Sequence, residues 1–152
     1  MLITVNNFLS INIYGLIFIA IIMIPNIVFA IKHKDGFANK FNNKIIETLE
    51  QIGRFGCFIF MIINIEYLSF GFINEAALSI YLLIDSFLVT LYCLIWIICF
   101  KANSIFRSLA LSIIPSIIFL FSGIITRSIL LLLFAIIFAP CHIIISYKNA
   151  IE

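Results

Sequence analysis

The stretch ALSIYLLIDSFLVTLYCLIWIICF, residues 77–100, decides the fold class of this chain. A bilayer core about 30 Å thick needs roughly 20 consecutive apolar residues in a helix, and this stretch is longer than that. Its one charged residue is Asp85. Hydrocarbon offers no partners for exposed backbone groups, whereas a helix satisfies them internally. We therefore predict a helix that crosses a membrane.

The composition of the whole chain agrees with this reading. Hydrophobic residues make up 64% of the 152 residues and charged residues 11%, and the mean hydropathy is +1.27. Soluble domains are roughly 45–50% apolar and about 25% charged, so a soluble globule is excluded. The net charge of +2 provides no basic field for nucleic acid. Nucleotide-binding, zinc-protease and serine-hydrolase motifs do not occur in the sequence, so we predict no cofactor.

Four further stretches are long and apolar enough to cross a membrane, or nearly so. The predicted spans lie at about residues 11–31, 55–72, 77–100, 108–126 and 129–147. Between the first two lies a polar loop, residues 32–54, in which Ile45, Ile46, Leu49 and Ile52 recur at helical spacing, opposite a polar face formed by Glu47, Glu50 and Gln51. We predict an all-α integral membrane bundle of five transmembrane helices plus a short cytoplasmic amphipathic helix. Residues 1–152 then form a single transmembrane domain.

The positive residues predict the orientation of these spans. With five spans, eight lysine and arginine residues fall on one side and Arg127 alone falls on the other. Cytoplasmic loops carry the excess of positive charge in membrane proteins, so the N-terminus is expected outside and the C-terminus in the cytoplasm. No lysine or arginine precedes the first apolar stretch, which is the reverse of a signal peptide's charge order, so this span is expected to be retained.

Two acidic residues within the predicted spans are candidates for function, because ionisable groups in a membrane are costly. Glu66 lies roughly 9 Å from the outer end of span two and Asp85 roughly 12 Å from the outer end of span three, at 1.5 Å per residue. On neighbouring helices, such a pair could carry protons or bind a cation. The alternatives are that each is a neutral acid in an interhelical hydrogen bond or snorkels into an outward vestibule.

A polar and aromatic stripe accompanies Asp85 along span three. Tyr81, Asp85, Tyr92 and Trp96 follow at helical spacing on one face. Such a stripe could line a ligand cleft, although aromatic residues near the ends of spans are also typical of membrane interfaces. We predict Glu66, Asp85, Tyr81, Tyr92 and Trp96 as binding residues.

Small residues form a different stripe on span four, where they let helix backbones approach closely. We predict that these residues serve helix packing, within the bundle or across a homodimer: Ser108, Ser112, Ser116 and Gly123.

The cysteines include no CxxC pair, so no zinc or redox motif is visible locally. Four residues in the predicted cytoplasmic half are weak candidates for a metal site: Cys57, Cys99, Cys141 and His142. The simpler reading is that the cysteines are small, reduced hydrophobic residues.

Two stretches resemble small multi-pass membrane proteins of low-GC Gram-positive bacteria. They are PNIVFAIKHKDGFANKFNNKIIETLEQIGRFGCF, residues 25–58, and the segment from Cys93 to Ser122 that contains LIWIICFKANSIFRSLALSIIPSIIFLFS. Together they cover under half of the chain. The resemblance implies a bacterial plasma-membrane protein and carries over no catalytic residues.

Three functions are compatible with these features. The first is a small protein that binds or transports a solute or ion through an acidic, outward-facing cleft. The second is a non-catalytic accessory or assembly subunit of a membrane complex. The third is an intramembrane enzyme, which ranks last because no pairing of a nucleophile with a base is visible. The expected partners are the lipid bilayer and either further copies of this chain or a larger membrane complex.

Overall fold

The computed structural model describes residues 2–6, 9–32, 41–101 and 104–151, and most of them are helical. Five helices and three short strands follow one another along the chain: β1 (Leu2–Asn6), β2 (Leu9–Asn12), α1 (Ile13–Lys32), α2 (Lys44–Ile62), β3 (Ile63–Ile65), α3 (Glu75–Ile98), α4 (Ile105–Ile125) and α5 (Ile129–Ile151).

Four of the helices are long and apolar enough to cross a membrane: α1, α3, α4 and α5. The prediction of a mostly helical chain with several helices long and apolar enough to cross a membrane is therefore confirmed for these four. Their bounds lie within a few residues of the predicted spans. Side-chain caps fix several of the starts, as where the Asn74 side chain accepts a hydrogen bond from the backbone N–H of Ala77 at 2.8 Å.

The predicted second span and the predicted amphipathic helix are different in the structure. One continuous helix, α2, runs from Lys44 to Ile62, and the chain then leaves the helix at Ile63. The prediction of a helix over about residues 55–72 is therefore wrong beyond Ile62. The error arose because the apolar run continues through a strand and a turn, where composition alone does not distinguish them.

A small antiparallel sheet, which the sequence reading did not predict, ties the N-terminal hairpin to the end of α2. Its strand order is β1-β2-β3, and β2 pairs with β3 through Leu9 with Ile65 and Ile11 with Ile63. The β-branched isoleucines at these positions favour extended backbone. The start of α1 and the end of α2 therefore lie at the same end of the bundle, which we call the sheet end.

The turn between α4 and α5 also lies at the sheet end. Ser128 forms a β-bridge with Ser69, and the Arg127 guanidinium donates hydrogen bonds to the carbonyl oxygens of Phe70 and Gly71. At the opposite end, the loop end, the backbone N–H of Phe41 donates to Asn149 Oδ1 at 2.9 Å. Successive helices thus run in alternating directions.

The neighbours in the bundle are not simply consecutive helices. The most extensive helix contacts are those of α2 with α5 and of α4 with α5, and α3 packs mainly on α4 and α1. Gly53 of α2 allows the close approach to α5, because a Cβ atom there would lie 2.8 Å from the Cα atom of Phe138. Helix α2 therefore buries one face against the last helix of the chain.

Candidate functional site

A buried carboxylate marks the face of α2 that packs on α5. Glu50 is 2% exposed although it belongs to the charged half of its helix. Arg54 lies one helical turn further on the same face, and its Nε atom donates a hydrogen bond to Glu50 Oε1 at 3.0 Å. Its Nη2 atom contacts the same oxygen. The arginine therefore covers the carboxylate from within the helix.

The last helix supplies a third member of this cluster. His142 of α5 directs its Nδ1 atom at Glu50 Oε1, at a distance of 2.9 Å. The imidazole ring stacks on Phe138, one turn earlier, with ring centroids 4.6 Å apart. A carboxylate held between a guanidinium and an imidazole satisfies the rule that buried charges are paired. We call Glu50, Arg54 and His142 the ion cluster.

The ion cluster lies in the wall of a groove of about 960 Å³ between α2 and α5. Toward the loop end this groove is lined by polar side chains, which include Lys44, Gln51, Ser146 and Asn149. From the middle of the bundle toward the sheet end its lining is apolar and aromatic, with Phe55, Ile59, Phe60 and Phe134. Because the two helices are antiparallel, the polar halves of both meet at the loop end.

A smaller cavity of about 220 Å³ lies on the inner side of the ion cluster. Arg54, Phe55 and His142 line both spaces. The inner cavity is also lined by Asn26 of α1 and Tyr92 of α3, whose side chains are joined by a hydrogen bond of 2.9 Å between Asn26 Nδ2 and the Tyr92 hydroxyl. Arg54 and His142 of the ion cluster therefore lie between a groove at the side of the bundle and a mostly apolar interior cavity that contains a few polar groups.

Asp85 lies elsewhere, in the bundle interior between α3 and α4. It is completely buried, and the hydroxyl of Ser122 donates to its Oδ2 atom at 2.6 Å. One turn closer to the sheet end, the Tyr81 hydroxyl accepts a long hydrogen bond of 3.4 Å from Asn12 Nδ2. Tyr81, Asp85, Tyr92 and Trp96 are all buried on one face of α3, as the spacing predicted.

Glu66 does not occupy the predicted position inside a helix. It is exposed in a turn that follows β3, where the backbone N–H groups of Leu68 and Ser69 donate to the Ile65 carbonyl. The predicted depth of Glu66 in a second span is therefore wrong. Neither Glu66 nor Asp85 lines the groove or the inner cavity.

Trp96 belongs to an aromatic box around an arginine near the loop end. The Arg107 guanidinium carbon lies 4.7 Å from the centroid of the Trp96 ring and 4.8 Å from that of Phe29. This cation–π arrangement gives a buried cation a favourable surface inside the bundle. The ring face of Trp96 is therefore in contact with Arg107 of this chain, and the Phe29 ring lies 5.0 Å from it.

The serine stripe of α4 faces the bundle interior for most of its length. Ser112, Ser116 and Gly123 are buried, and a Cβ atom on Gly123 would lie 3.0 Å from Leu132 Cγ of α5. Ser108 is partly buried. The stripe thus packs within this chain.

The weak metal candidates are not gathered into a site. In the described part of the chain, no group of three His, Cys, Asp or Glu residues could hold a metal ion. Cys57 is buried, Cys99 and Cys141 are partly buried, and all three are free thiols.

Sequence reasoning missed the ion cluster because Glu50 was read as part of a solvated helix face. A signal was present nearby: Gly53 and Gly56 fall on the same face as Glu50, and small residues at such spacing indicate close helix packing. The third member, His142, is far along the chain, so no local pattern joins it to Glu50.

The four apolar helices are compatible with a multi-pass membrane protein, and α2 and α5 enclose a groove with a polar and an apolar half. Comparisons with protein-family models, with curated proteins and with solved structures find no match for this chain.

Proposed function

We propose that α2 is a fifth membrane crossing and that the protein binds a small solute in the groove between α2 and α5. The crossing is supported by connectivity. If α1 crosses the membrane, β2 before it and β3 after α2 must be on the same side, because they pair in one sheet. The 19 residues of α2 extend about 28 Å at 1.5 Å per residue, close to the thickness of a bilayer core.

The charges of α2 are compatible with this crossing because the two nearest the middle of the helix pair with each other. Arg54, the nearest, has a side chain that is 36% exposed and that lies against the buried carboxylate of Glu50. Glu50 is enclosed between Arg54 and His142, and ionisable groups within membranes are tolerated where they face the bundle interior and pair with one another. A hydropathy average scores Glu50 and Arg54 as if their side chains faced lipid, although they pair with each other.

The positive-inside rule then assigns the loop end to the cytoplasm and the sheet end to the outside. The resemblance of the two quoted stretches to bacterial proteins supports the plasma membrane as the location. In this orientation the polar half of the groove opens at the cytoplasmic side.

The observation that carries the binding proposal is the ion cluster in the wall of the groove. A solute there meets a carboxylate, a guanidinium and an imidazole that are already oriented by one another, and binding sites combine such fixed polar groups with an apolar lining. The apolar half, with Phe55, Phe60 and Phe134, extends from the middle of the bundle toward the sheet end. The groove therefore suits an amphiphilic molecule with a compact polar group and an apolar part.

The acidic outward-facing cleft is less favoured, because Glu66 is exposed in a turn and Asp85 is fully enclosed. The accessory-subunit alternative would use the segment of residues 32–54 and the serine stripe as contact surfaces. It loses the second of these, because most of the serine stripe packs inside this chain. An enzyme ranks last again: His142 pairs with Glu50 and stacks on Phe138, and no described hydroxyl or thiol group hydrogen-bonds to it.

Native mass spectrometry of the full chain, purified gently from its own membrane, tests the binding proposal. We expect the wild type and the control Glu66→Gln, an exposed carboxylate outside the groove, to carry the same small added mass. Glu50→Gln removes the charge that orients Arg54 and His142, so the added mass is expected to be reduced or lost.

A second variant separates loss of binding from loss of folding. Gln51 is exposed and lines the groove, so Gln51→Trp fills the groove from a position that tolerates a large side chain. We expect this variant to fold, as monitored by gel filtration, and to lose the added mass. A wild type without any added mass, or an equal added mass on all four proteins, would contradict the proposal.

A further inference from the structure

Asp85 is an enclosed carboxyl group with half of its hydrogen-bonding capacity unused. Its exposure is 0%, and Ser122 Oγ donates to Oδ2. Its other oxygen, Oδ1, has no hydrogen-bond partner among the described residues. Buried polar atoms are nearly always paired, so an orphaned carboxyl oxygen in a core requires a physical explanation.

Among the described residues, no cationic side chain forms an ion pair with Asp85. On α4, Arg107 stacks on Trp96, which is 11 residues from Asp85 and thus about 16 Å along α3. On α1, Lys32 lies over Phe100, still further toward the loop end, and Tyr14 is the other titratable group of that helix. On α3 itself the flanking titratable groups are Tyr81 and Tyr92, which are neutral hydroxyls.

Two further arginines of the described residues are engaged at the sheet end and at the side of the bundle. Arg127 bonds to backbone carbonyls at the sheet end, and Arg54 covers Glu50. Burial of a single ionised carboxylate in a low-dielectric interior costs far more free energy than one hydrogen bond from a hydroxyl group recovers. Such a carboxylate therefore takes up a proton and becomes neutral. A bound metal cation would need several oxygen ligands around it. Among the described contacts of Asp85, only the Ser122 hydroxyl provides a further oxygen ligand.

We propose that Asp85 is a proton-binding site of the bundle. The carboxyl group holds the proton on Oδ1, the orphaned oxygen, while the Ser122 hydroxyl donates to Oδ2. On release, the O–H bond of the carboxyl breaks, the proton leaves for water and the carboxylate stays behind. This site is distinct from the groove, and the proposal does not depend on solute binding there.

The route of exchange leads toward the sheet end. Tyr81 lies one turn from Asp85 in that direction, and its hydroxyl is hydrogen-bonded to Asn12 at the end of β2. Asn12 Oδ1 is itself buried without a partner among the described residues, so this side chain can still accept a hydrogen bond. In the other direction Tyr92 is two turns away and its hydroxyl is bonded to Asn26. Tyr81 and Asn12 are therefore the positioning residues of the shorter path.

Infrared difference spectroscopy on the full chain in liposomes tests this site. At neutral pH we expect the carbonyl stretching band of a protonated carboxyl group in the wild type, its loss in Asp85→Asn, and no change in the matched control Glu66→Gln. Transfer to D₂O shifts the band if the proton exchanges. Tyr81→Phe removes the hydroxyl on the path and is expected to slow that shift severalfold.

Ser122→Ala keeps the test decisive if Asp85→Asn does not fold. Removal of the hydroxyl donor leaves a less hydrogen-bonded carbonyl, so the same band moves to higher frequency in a protein that retains its carboxyl group. The proposal is overturned by a carboxylate band for Asp85 at neutral pH, by a dependence of that band on sodium against potassium, or by a carboxyl band that never shifts in D₂O.

Discussion

The contact of α2 with α5 at Gly53 gives the sharpest prediction on stability. In Gly53→Ala the new Cβ atom would lie 2.8 Å from both the N and Cα atoms of Phe138, which is 0.6 Å short of the 3.4 Å at which ordinary contact begins. These are backbone atoms, so no side-chain rotation relieves the clash and the two helices must separate.

The expected change in the free energy of unfolding follows from two opposing effects. Overpacking of a well-packed core costs about 1–3 kcal/mol. Alanine is favoured over glycine within a helix by up to about 1 kcal/mol, which offsets part of that cost. We expect Gly53→Ala to lower the free energy of unfolding by about 1–2 kcal/mol. The assay is SDS titration of the protein in mild detergent micelles, followed by the emission of Trp96, the one tryptophan in the chain.

Gly56 provides a matched comparison on the same helix face. There the clash of an added Cβ atom is with the ring of Phe134, a side chain that can be truncated. In double-mutant cycles, Phe134→Leu should therefore partly rescue Gly56→Ala. Phe138→Leu should not rescue Gly53→Ala, because the backbone of α5 stays where it is. Wild-type stability of Gly53→Ala, or its rescue by Phe138→Leu, would refute this account of the interface.

Two further predictions concern the interior and the topology. Tyr92→Phe and Asn26→Leu each break the hydrogen bond that joins α1 to α3. The free energy of unfolding of the double variant should therefore fall by about 0.5–1.5 kcal/mol less than the sum of the two single decreases. Fully additive decreases would exclude the contact. In a cysteine-free background, Lys44→Cys and Glu66→Cys should react with a membrane-impermeant maleimide from opposite sides, inside and outside respectively, whereas labelling from one side would show that α2 does not cross.

The sequence was a good guide where a helix is apolar all round. For α3, α4 and α5, length and hydropathy suffice to predict a helix, because an apolar run of this length needs no particular partner to be recognised. The burial of Tyr81, Asp85, Tyr92 and Trp96 on one face followed from helical periodicity alone.

The same reasoning failed where a residue's partner is distant along the chain. Ile63 and Ile65 look like the interior of a span, but they pair with β2, a strand some 50 residues earlier in the sequence. Glu50 looks like part of a solvated face, but its partner His142 belongs to the last helix. Hydropathy describes a residue's preference for water, and it does not describe which helix will lie against it.

The pairing of α2 with α5 has a consequence for the order of synthesis. A ribosome delivers α2 early and α5 last, so Glu50 and Arg54 emerge long before His142 and the face of α5 that encloses them. An early α2 in lipid would expose paired charges at a cost of several kcal/mol. If α2 crosses the membrane as proposed, its stable insertion depends on α5, and a protein cut short before α5 is expected to retain α2 at the membrane surface.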